Sequence, residues 1–239
     1  RMSGFVLLNP ILGRRGIPGR AKAGMIFALT LAAFPSGDVT ISASGTMGLA
    51  FVLMKEFVVG YLLGFTIQLF TYVMTHAGSI IDFQMGLSMA MVYDPVNGTQ
   101  TAVTGTMLNV YYILLFFAVD GHLALMKILV TSAQVVPYGQ IVLQPGAWQA
   151  LLDIFKECTL LAIKLSFPLI AVELLLQVGI GILMKMVPQI NLFVMNLQLK
   201  LLVGIACIIF LVSPIGDFIG TLITDMLNTM LGMLRLTAG

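Results

Sequence analysis

Long apolar segments alternate with short polar connections along the chain of 239 residues. The apolar segments lie at roughly 3–12, 23–34, 47–75, 102–119, 123–136, 158–184, 192–213 and 215–236. Such runs predict membrane helices, although several are shorter than the roughly 20 residues of a simple span. The uneven lengths indicate hairpins and broken helices packed against other proteins, because non-helical backbone at membrane depth must be covered by protein or water.

The composition supports the same fold class. Hydrophobic residues make up 59% of the chain and charged residues 9%, against roughly 25% charged in soluble domains. The net charge of +2 is small and gives no reason to expect a nucleic-acid partner. Without internal repeats or linkers, the sequence predicts an all-α integral membrane protein with one domain over residues 1–239. The apolar run is already under way at Phe5, so the start of the first helix is expected to be missing.

The charges of the connections predict their sides of the membrane. Residues 13–22, GRRGIPGRAK, carry four basic side chains and are expected in the cytoplasm. The connections 35–46 and 137–150 contain no Lys or Arg and are expected on the opposite side.

The segment MGLSMAMVYDPVNGTQT, residues 85–101, begins like a membrane helix and then breaks. Gly86 and Gly98 permit unusual backbone angles. Pro95 fixes φ, lacks an N–H and biases Asp94 away from helix. The residues themselves leave two interpretations open, a kinked helix end inside the subunit and a loop that projects from it.

Polar residues recur on single helix faces inside two apolar runs. Residues four apart share a face, and the two lines are Glu56, Gly60, Gly64 and Gln68, and Glu173, Gln177 and Gly181. The GYLLG step in the first line is a GxxxG pattern, which lets helices approach closely in lipid. Because a carboxylate in hydrocarbon is costly, both acids are expected to face protein or water, with Lys164 and Lys200 as candidate partners. Packing within the subunit, contact with another subunit and an ion relay all fit these lines.

The chain carries no recognisable catalytic motif. HExxH, GxGD, GxSxG and GxxxxGK[ST] are absent. The two histidines, His76 and His122, are too few for a histidine-rich metal site, and Cys158 and Cys207 lie in apolar runs as small hydrophobic residues. The sequence therefore predicts neither an enzyme nor a bound cofactor. A small secondary transporter acting as a homo-oligomer is the alternative, although two matched halves with interrupted helices are not visible.

The segment GILMKMVPQINLFV predicts a turn between two apolar helices. Pro188 would end or kink the first helix, and the side-chain oxygen of Asn191 would cap the next.

Three stretches in order, NPILGRRGIPGRAKAG, HAGSIIDFQMGLSMAMVYDP and GILMKMVPQINLFV, together with the DGH element at 120–122, resemble one family. It is the FliR family of flagellar biosynthesis proteins, which includes the R-type (SctT) subunits of virulence-associated type III secretion systems. The resemblance covers essentially the whole chain. In three respects the chain departs from that family: Met89 stands where an aromatic residue is frequent, Lys185 where arginine is usual, and Gly98 comes late after Asp94-Pro95.

The resemblance implies a non-enzymatic subunit of an export gate. P-type and Q-type (FliP-like and FliQ-like) subunits would build the gate with this chain in a helical assembly. A switch-type (FlhB-like) subunit and a large (FlhA-like) export subunit would accompany it. Unfolded secreted polypeptides would cross the bacterial inner membrane through this gate, within a flagellar basal body or injectisome base, and the energy would come from elsewhere in the machine.

The resemblance also implies two sites. The loop 85–101 would project into the pore and help to plug it, through Met85, Gly86, Met89, Met91, Asp94, Pro95 and Gly98. Methionine suits a plug because it is unbranched and repacks around irregular neighbours, and a ring of apolar side chains holds back ions by dewetting. The second site is an entrance hairpin with Lys185, Pro188, Gln189 and Asn191.

Overall fold

The computed structural model describes residues 1–14, 16–34, 45–90, 92–94, 99–139, 141, 146–186 and 192–237. These residues form seven α-helices: α1 Met2–Leu8, α2 Gly19–Ala33, α3 Gly45–Met85, α4 Val103–Ala118, α5 Gly121–Val135, α6 Gly146–Met186 and α7 Leu192–Thr237. Between α3 and α4 lie a 3₁₀ turn, Leu87–Ala90, and two short antiparallel strands, β1 Val92–Asp94 and β2 Thr99–Thr101. The predicted all-α class is confirmed, and this small β-hairpin is an addition that the apolar pattern did not indicate.

Three helices are long and apolar enough to cross a membrane. They comprise α3 with 41 residues, the Gly146–Leu183 part of α6 and the Met195–Thr237 part of α7. α4 and α5 pass the same test only as a pair, broken between Ala118 and Gly121. These spans confirm the prediction of an integral membrane protein.

Two predicted boundaries are wrong. The segments 192–213 and 215–236 form one helix, α7, which continues through Pro214, and the connection placed at 137–150 already ends where α6 begins at Gly146. Proline normally breaks a helix because it removes one backbone donor and crowds the preceding turn. Membrane helices tolerate it where neighbouring groups satisfy the freed carbonyl, and α6 likewise continues through Pro168.

The chain divides into two compact units. The first contains Arg1–Thr71, Phe116–Glu157 and Thr221–Gly239. In it, α2 packs on α1 and on α5. The buried apolar side chains of this unit include Phe5, Leu63, Ile67 and Leu129.

The connection between α1 and α2 is held by local hydrogen bonds. Oδ1 of Asn9 accepts from the backbone N–H groups of Ile11 and Leu12 at 2.8 and 3.0 Å. Nζ of Lys22 donates to the Gly13 carbonyl at 2.9 Å. The Asn-Pro start of the motif NPILG therefore forms a side-chain-capped turn of the kind that asparagine favours.

The second unit contains Tyr72–Leu115 and Cys158–Gly220. Its buried side chains include Met74, Tyr112 and Leu169. It also contains the β-hairpin, so the segment 85–101 belongs to this unit together with the helix ends that carry it.

Candidate functional site

The segment 85–101 starts at a buried position. We call Asp82 and Met85, with their contacts to α4 and α7, the base of the segment. Met85, the last residue of α3, is 2% exposed. It packs on Gly204 of α7, where an added Cβ would lie 2.5 to 2.8 Å from Met85 side-chain atoms. Gly86 follows with φ +76°, a left-handed conformation that glycine adopts without steric cost. The Cδ2 atom of Leu197 would lie 3.1 Å from a Cβ at Gly86. The chain thus leaves α3 through a turn that suits glycine.

The remaining loop residues are placed as follows. The backbone of Met89 lies in the 3₁₀ turn and that of Asp94 ends β1, opposite Thr99 of β2. Met91, Pro95 and Gly98 lie outside the described residues. Met85 therefore lies where the segment leaves α3, packed on α7, and the predicted plugging role of this residue and of the others stays a prediction.

A hydrogen bond joins the two helices that flank the segment. Asp82, in the last turn of α3, is 2% exposed. Its two carboxylate oxygens accept from the backbone N–H of Thr104, in the first turn of α4, at 3.2 and 3.3 Å. One turn earlier on α3, a Cβ at Gly78 would overlap the backbone of Gly105. The helices that flank the loop thus meet backbone to backbone.

A second polar site surrounds Glu56, which is 7% exposed. Oε2 of Glu56 accepts from Nε of Arg1 at 2.9 Å, and Oε1 accepts from the backbone N–H of Gly139 at 3.0 Å. Arg1 also donates to Oγ of Ser132 at 3.3 Å and to the Val136 carbonyl at 3.0 Å. The carboxylate and the guanidinium are both multiply bonded, which is the condition under which a buried ion pair is tolerated.

Tyr138 completes this cluster. The guanidinium carbon of Arg1 lies 4.8 Å from the centre of the Tyr138 ring, a cation–π arrangement. Burial raises the pKa of the Tyr138 phenol, an effect that Arg1 opposes and Glu56 reinforces. The phenol therefore stays neutral at physiological pH and offers its ring face to the cation.

Helix α1 packs closely against the glycines of the Glu56 line. A Cβ at Gly60 would overlap the carbonyl oxygen of Arg1, and one at Gly64 would lie 2.8 Å from the Phe5 carbonyl oxygen. Gln68, the last member of the line, is half-buried. The predicted lysine partners are wrong for Glu56, whose ion-pair partner is Arg1.

The Glu173 line is different. Glu173 is 1% exposed, and within the described residues neither carboxylate oxygen has a hydrogen-bond partner. Lys200 of α7 is close enough to interact electrostatically with Glu173, but its Nζ donates to Oε1 of Gln177 at 3.4 Å. Gln177 and Gly181 are exposed, and nothing described lies within 4 Å of a Cβ at Gly181. At Gly181, therefore, no described helix packs against the Glu173 line.

The entrance hairpin is only partly described. Lys185 is exposed in the last turn of α6. Pro188, Gln189 and Asn191 lie outside the described residues. Because α6 ends at Met186 and α7 begins at Leu192, the helix boundaries lie where the sequence predicted a turn.

The described residues contain no group of three His, Cys, Asp or Glu side chains that could hold a metal ion. His76 is exposed and its ring centre lies 5.9 Å from that of Tyr72. The His122 ring lies 5.1 Å from that of Phe117. The sequence analysis did not select Arg1 or Asp82 as site residues. Arg1 lies 55 residues from Glu56 and no local pattern indicates it, whereas Asp82 shortly precedes the break after Met85.

Comparisons with known proteins agree over most of the chain. A family model described as bacterial export proteins, family 1, matches residues 1–226. The flagellar biosynthetic protein FliR of Escherichia coli (strain K12) is 32% identical over 231 residues, covering 95% of this chain and 87% of that protein. FliR of Bacillus subtilis (strain 168) is 29% identical over 239 residues, with 99% and 92% covered. The surface presentation of antigens protein SpaR of Shigella flexneri is 29% identical over 217 residues, with 89% and 82% covered.

Proposed function

Because the chain belongs to the bacterial export protein family 1, we propose that it is a non-enzymatic subunit of a type III export gate in the bacterial inner membrane. As a component of a type III export apparatus, it would assemble with P-type and Q-type subunits around a pore for unfolded polypeptides. The family match over residues 1–226 is the observation that carries this proposal. FlhB-like and FlhA-like subunits would act on the same gate.

The exposed apolar length of α6 supports assembly with other proteins. Large exposed apolar side chains run along this helix from Trp148 at 68% exposure to Met186 at 73%. That stretch is about 57 Å long at a rise of about 1.5 Å per residue. The hydrocarbon core is about 30 Å thick, so even a helix tilted by roughly 40° passes through only about 40 Å of it. The first part of this stretch also carries the exposed ion pair of Asp153 and Lys156, which does not suit the hydrocarbon. The exposed apolar side chains beside these charges, Trp148, Leu152 and Phe155, are therefore better covered by neighbouring helical subunits than by lipid.

The segment 85–101 is proposed as the plug of the pore. Two contacts at the start of the segment support this proposal. Met85 packs on α7 and Asp82 binds α4, so the short β-hairpin extends from a buried, fixed part of the chain. A firmly based loop can hold apolar residues at one position in a pore. Within it, Met89 and Met91 are assigned to closing the pore, and Met85 to anchoring the loop.

The gate proposal is tested by the mass of the assembly. The chain is co-expressed with its P-type and Q-type partners, purified in mild detergent and measured by native mass spectrometry. One large species that holds this chain with several copies of both partners is the expected result. A free monomer or homodimer, despite good expression of both partners, would overturn the proposal.

The plug proposal is tested by ion conductance of the assembled gate in planar bilayers. Replacing Met89 and Met91 with glycine is expected to raise the conductance, because the loss of both side chains widens and wets the constriction. The matched control is Met47→Gly, at a side chain of α3 that is 77% exposed. Equal conductance of the double variant, the control and the wild type would contradict the plug.

The alternative is a small transporter or channel acting as a homo-oligomer. One observation favours it, the buried Glu173 carboxylate without a hydrogen-bond partner among the described residues, since intramembrane acids frequently mark ion pathways. A homodimer in the mass measurement, with transport lost in Glu173→Gln, is the result that this alternative predicts.

A further inference from the structure

Asp82 stands where the two ends of the loop meet. Its carboxylate binds the backbone N–H of Thr104 through both oxygens, at 3.2 and 3.3 Å. Thr104 belongs to the first turn of α4, whose N–H groups have no acceptor within their own helix. A carboxylate at this position also complements the positive end of the helix dipole. Both residues are buried, at 2% and 4% exposure, so water does not compete for the bond.

A second contact between α3 and α4, one turn before Asp82, does not depend on the charge of the Asp82 carboxylate. Gly78 and Gly105 bring α3 and α4 into backbone contact, with no room for a Cβ at Gly78. Three residues after Asp82, Met85 packs on Gly204 of α7. The base therefore has two apolar contacts that hold the helices together, and one polar contact that fixes the first turn of α4.

We infer that Asp82 is a positioning residue of the pore loop, which holds the first turn of α4 against α3 and thereby sets where the hairpin lies. This inference rests on the proposed plug function. Without the carboxylate, the Gly78–Gly105 contact keeps the two helices together, but the first turn of α4 loses its acceptor and frays. The unstructured connection between the hairpin and α4 then becomes longer, and the apolar residues of the hairpin no longer stay at one depth in the pore.

The test compares Asp82→Ala and Asp82→Asn with Asp153→Ala in the assembled gate. Asp153 is an acid whose side chain is 72% exposed, so its loss controls for removal of a negative charge. Asp82→Ala is expected to assemble and to leak: loss of one charge-assisted hydrogen bond raises the fraction of gates with a displaced loop at least about tenfold, and the mean ion conductance rises with that fraction. Asp82→Asn keeps one acceptor oxygen at the same position and is expected to give an intermediate conductance. Asp153→Ala is expected to match the wild type.

Deletion of residues 87–101 separates the two proposals. If this deletion leaks while both Asp82 variants conduct like the wild type, the loop is a plug but Asp82 does not position it. If the deletion itself stays tight, the plug function fails. If neither Asp82 variant assembles while the deletion does, Asp82 serves the fold alone and the inference is overturned.

Discussion

Gly60→Ala is the substitution whose cost follows most directly from the structure. An added Cβ would overlap the carbonyl oxygen of Arg1 and lie 3.0 Å from the backbone nitrogen of Phe5. All of these atoms are backbone, so no side-chain rotation can relieve the overlap. α1 has to move away from α3, and Arg1 then loses its place over Glu56.

The magnitude combines three effects. Overpacking a core costs about 1–3 kcal/mol, and disrupting a buried ion pair costs about 3–5 kcal/mol. Alanine is favoured over glycine in a helix by about 1 kcal/mol, which offsets part of this loss. The net destabilisation is roughly 3–7 kcal/mol, a large part of the stability of about 5–15 kcal/mol that a domain has.

Thermal unfolding of the purified chain in detergent measures this cost. Since about 1 kcal/mol lowers Tm by about 2–4 °C in a chain of this size, Gly60→Ala should melt at least about 6 °C lower. The matched control is Gly24→Ala in α2, where nothing described lies within 4 Å of the added Cβ. It should melt at or slightly above the wild-type temperature. Equal melting of the two variants would refute close packing of α1 on α3.

Two further predictions concern α6 and α7. Gly204→Ala should destabilise the chain by about 1–3 kcal/mol, because the methyl group meets the side chain of Met85. In a Met85→Ala background the same change should be nearly neutral, and additive effects in this double-mutant cycle would contradict the contact. Glu173→Leu should stabilise the isolated chain by about 1–3 kcal/mol, the cost of a buried polar group without a hydrogen-bond partner, since Glu173 has none among the described residues. A lower Tm of this variant would show that the carboxylate is paired, and a reduced yield of the assembled complex alone would indicate that another subunit binds it.

The helical class and most spans could be predicted from the apolar pattern, but continuity through proline could not. The sequence pattern placed a break at Pro214, where α7 runs on to Thr237. A proline signals a break because its own helix loses a donor. Whether neighbouring groups replace that donor depends on residues distant in sequence, which a local pattern does not contain.

The sites show the same limit. Spacing by four residues predicted that Glu56, Gly60 and Gly64 share a packed face, because helix geometry alone fixes that relation. The partner of Glu56 lies 55 residues away, and nothing in the spacing indicates Arg1. Similarly, Asp82 and Thr104 are 22 residues apart on either side of the break. Their bond follows from how α3 and α4 pack at Gly78 and Gly105.

The two carboxylate lines have similar sequence patterns and different surroundings. Glu56 receives donors from Arg1 and Gly139, and α1 covers the glycines that follow it. Glu173 receives no hydrogen bond from the described residues, and Gly181 beyond it meets nothing described within 4 Å. A carboxylate among apolar helices is stable only where donors or water reach it. Among the residues that the structure describes, the Glu56 carboxylate has such donors and the Glu173 carboxylate has none. Contact with another subunit therefore stays a prediction for the exposed end of the Glu173 line, at Gln177 and Gly181.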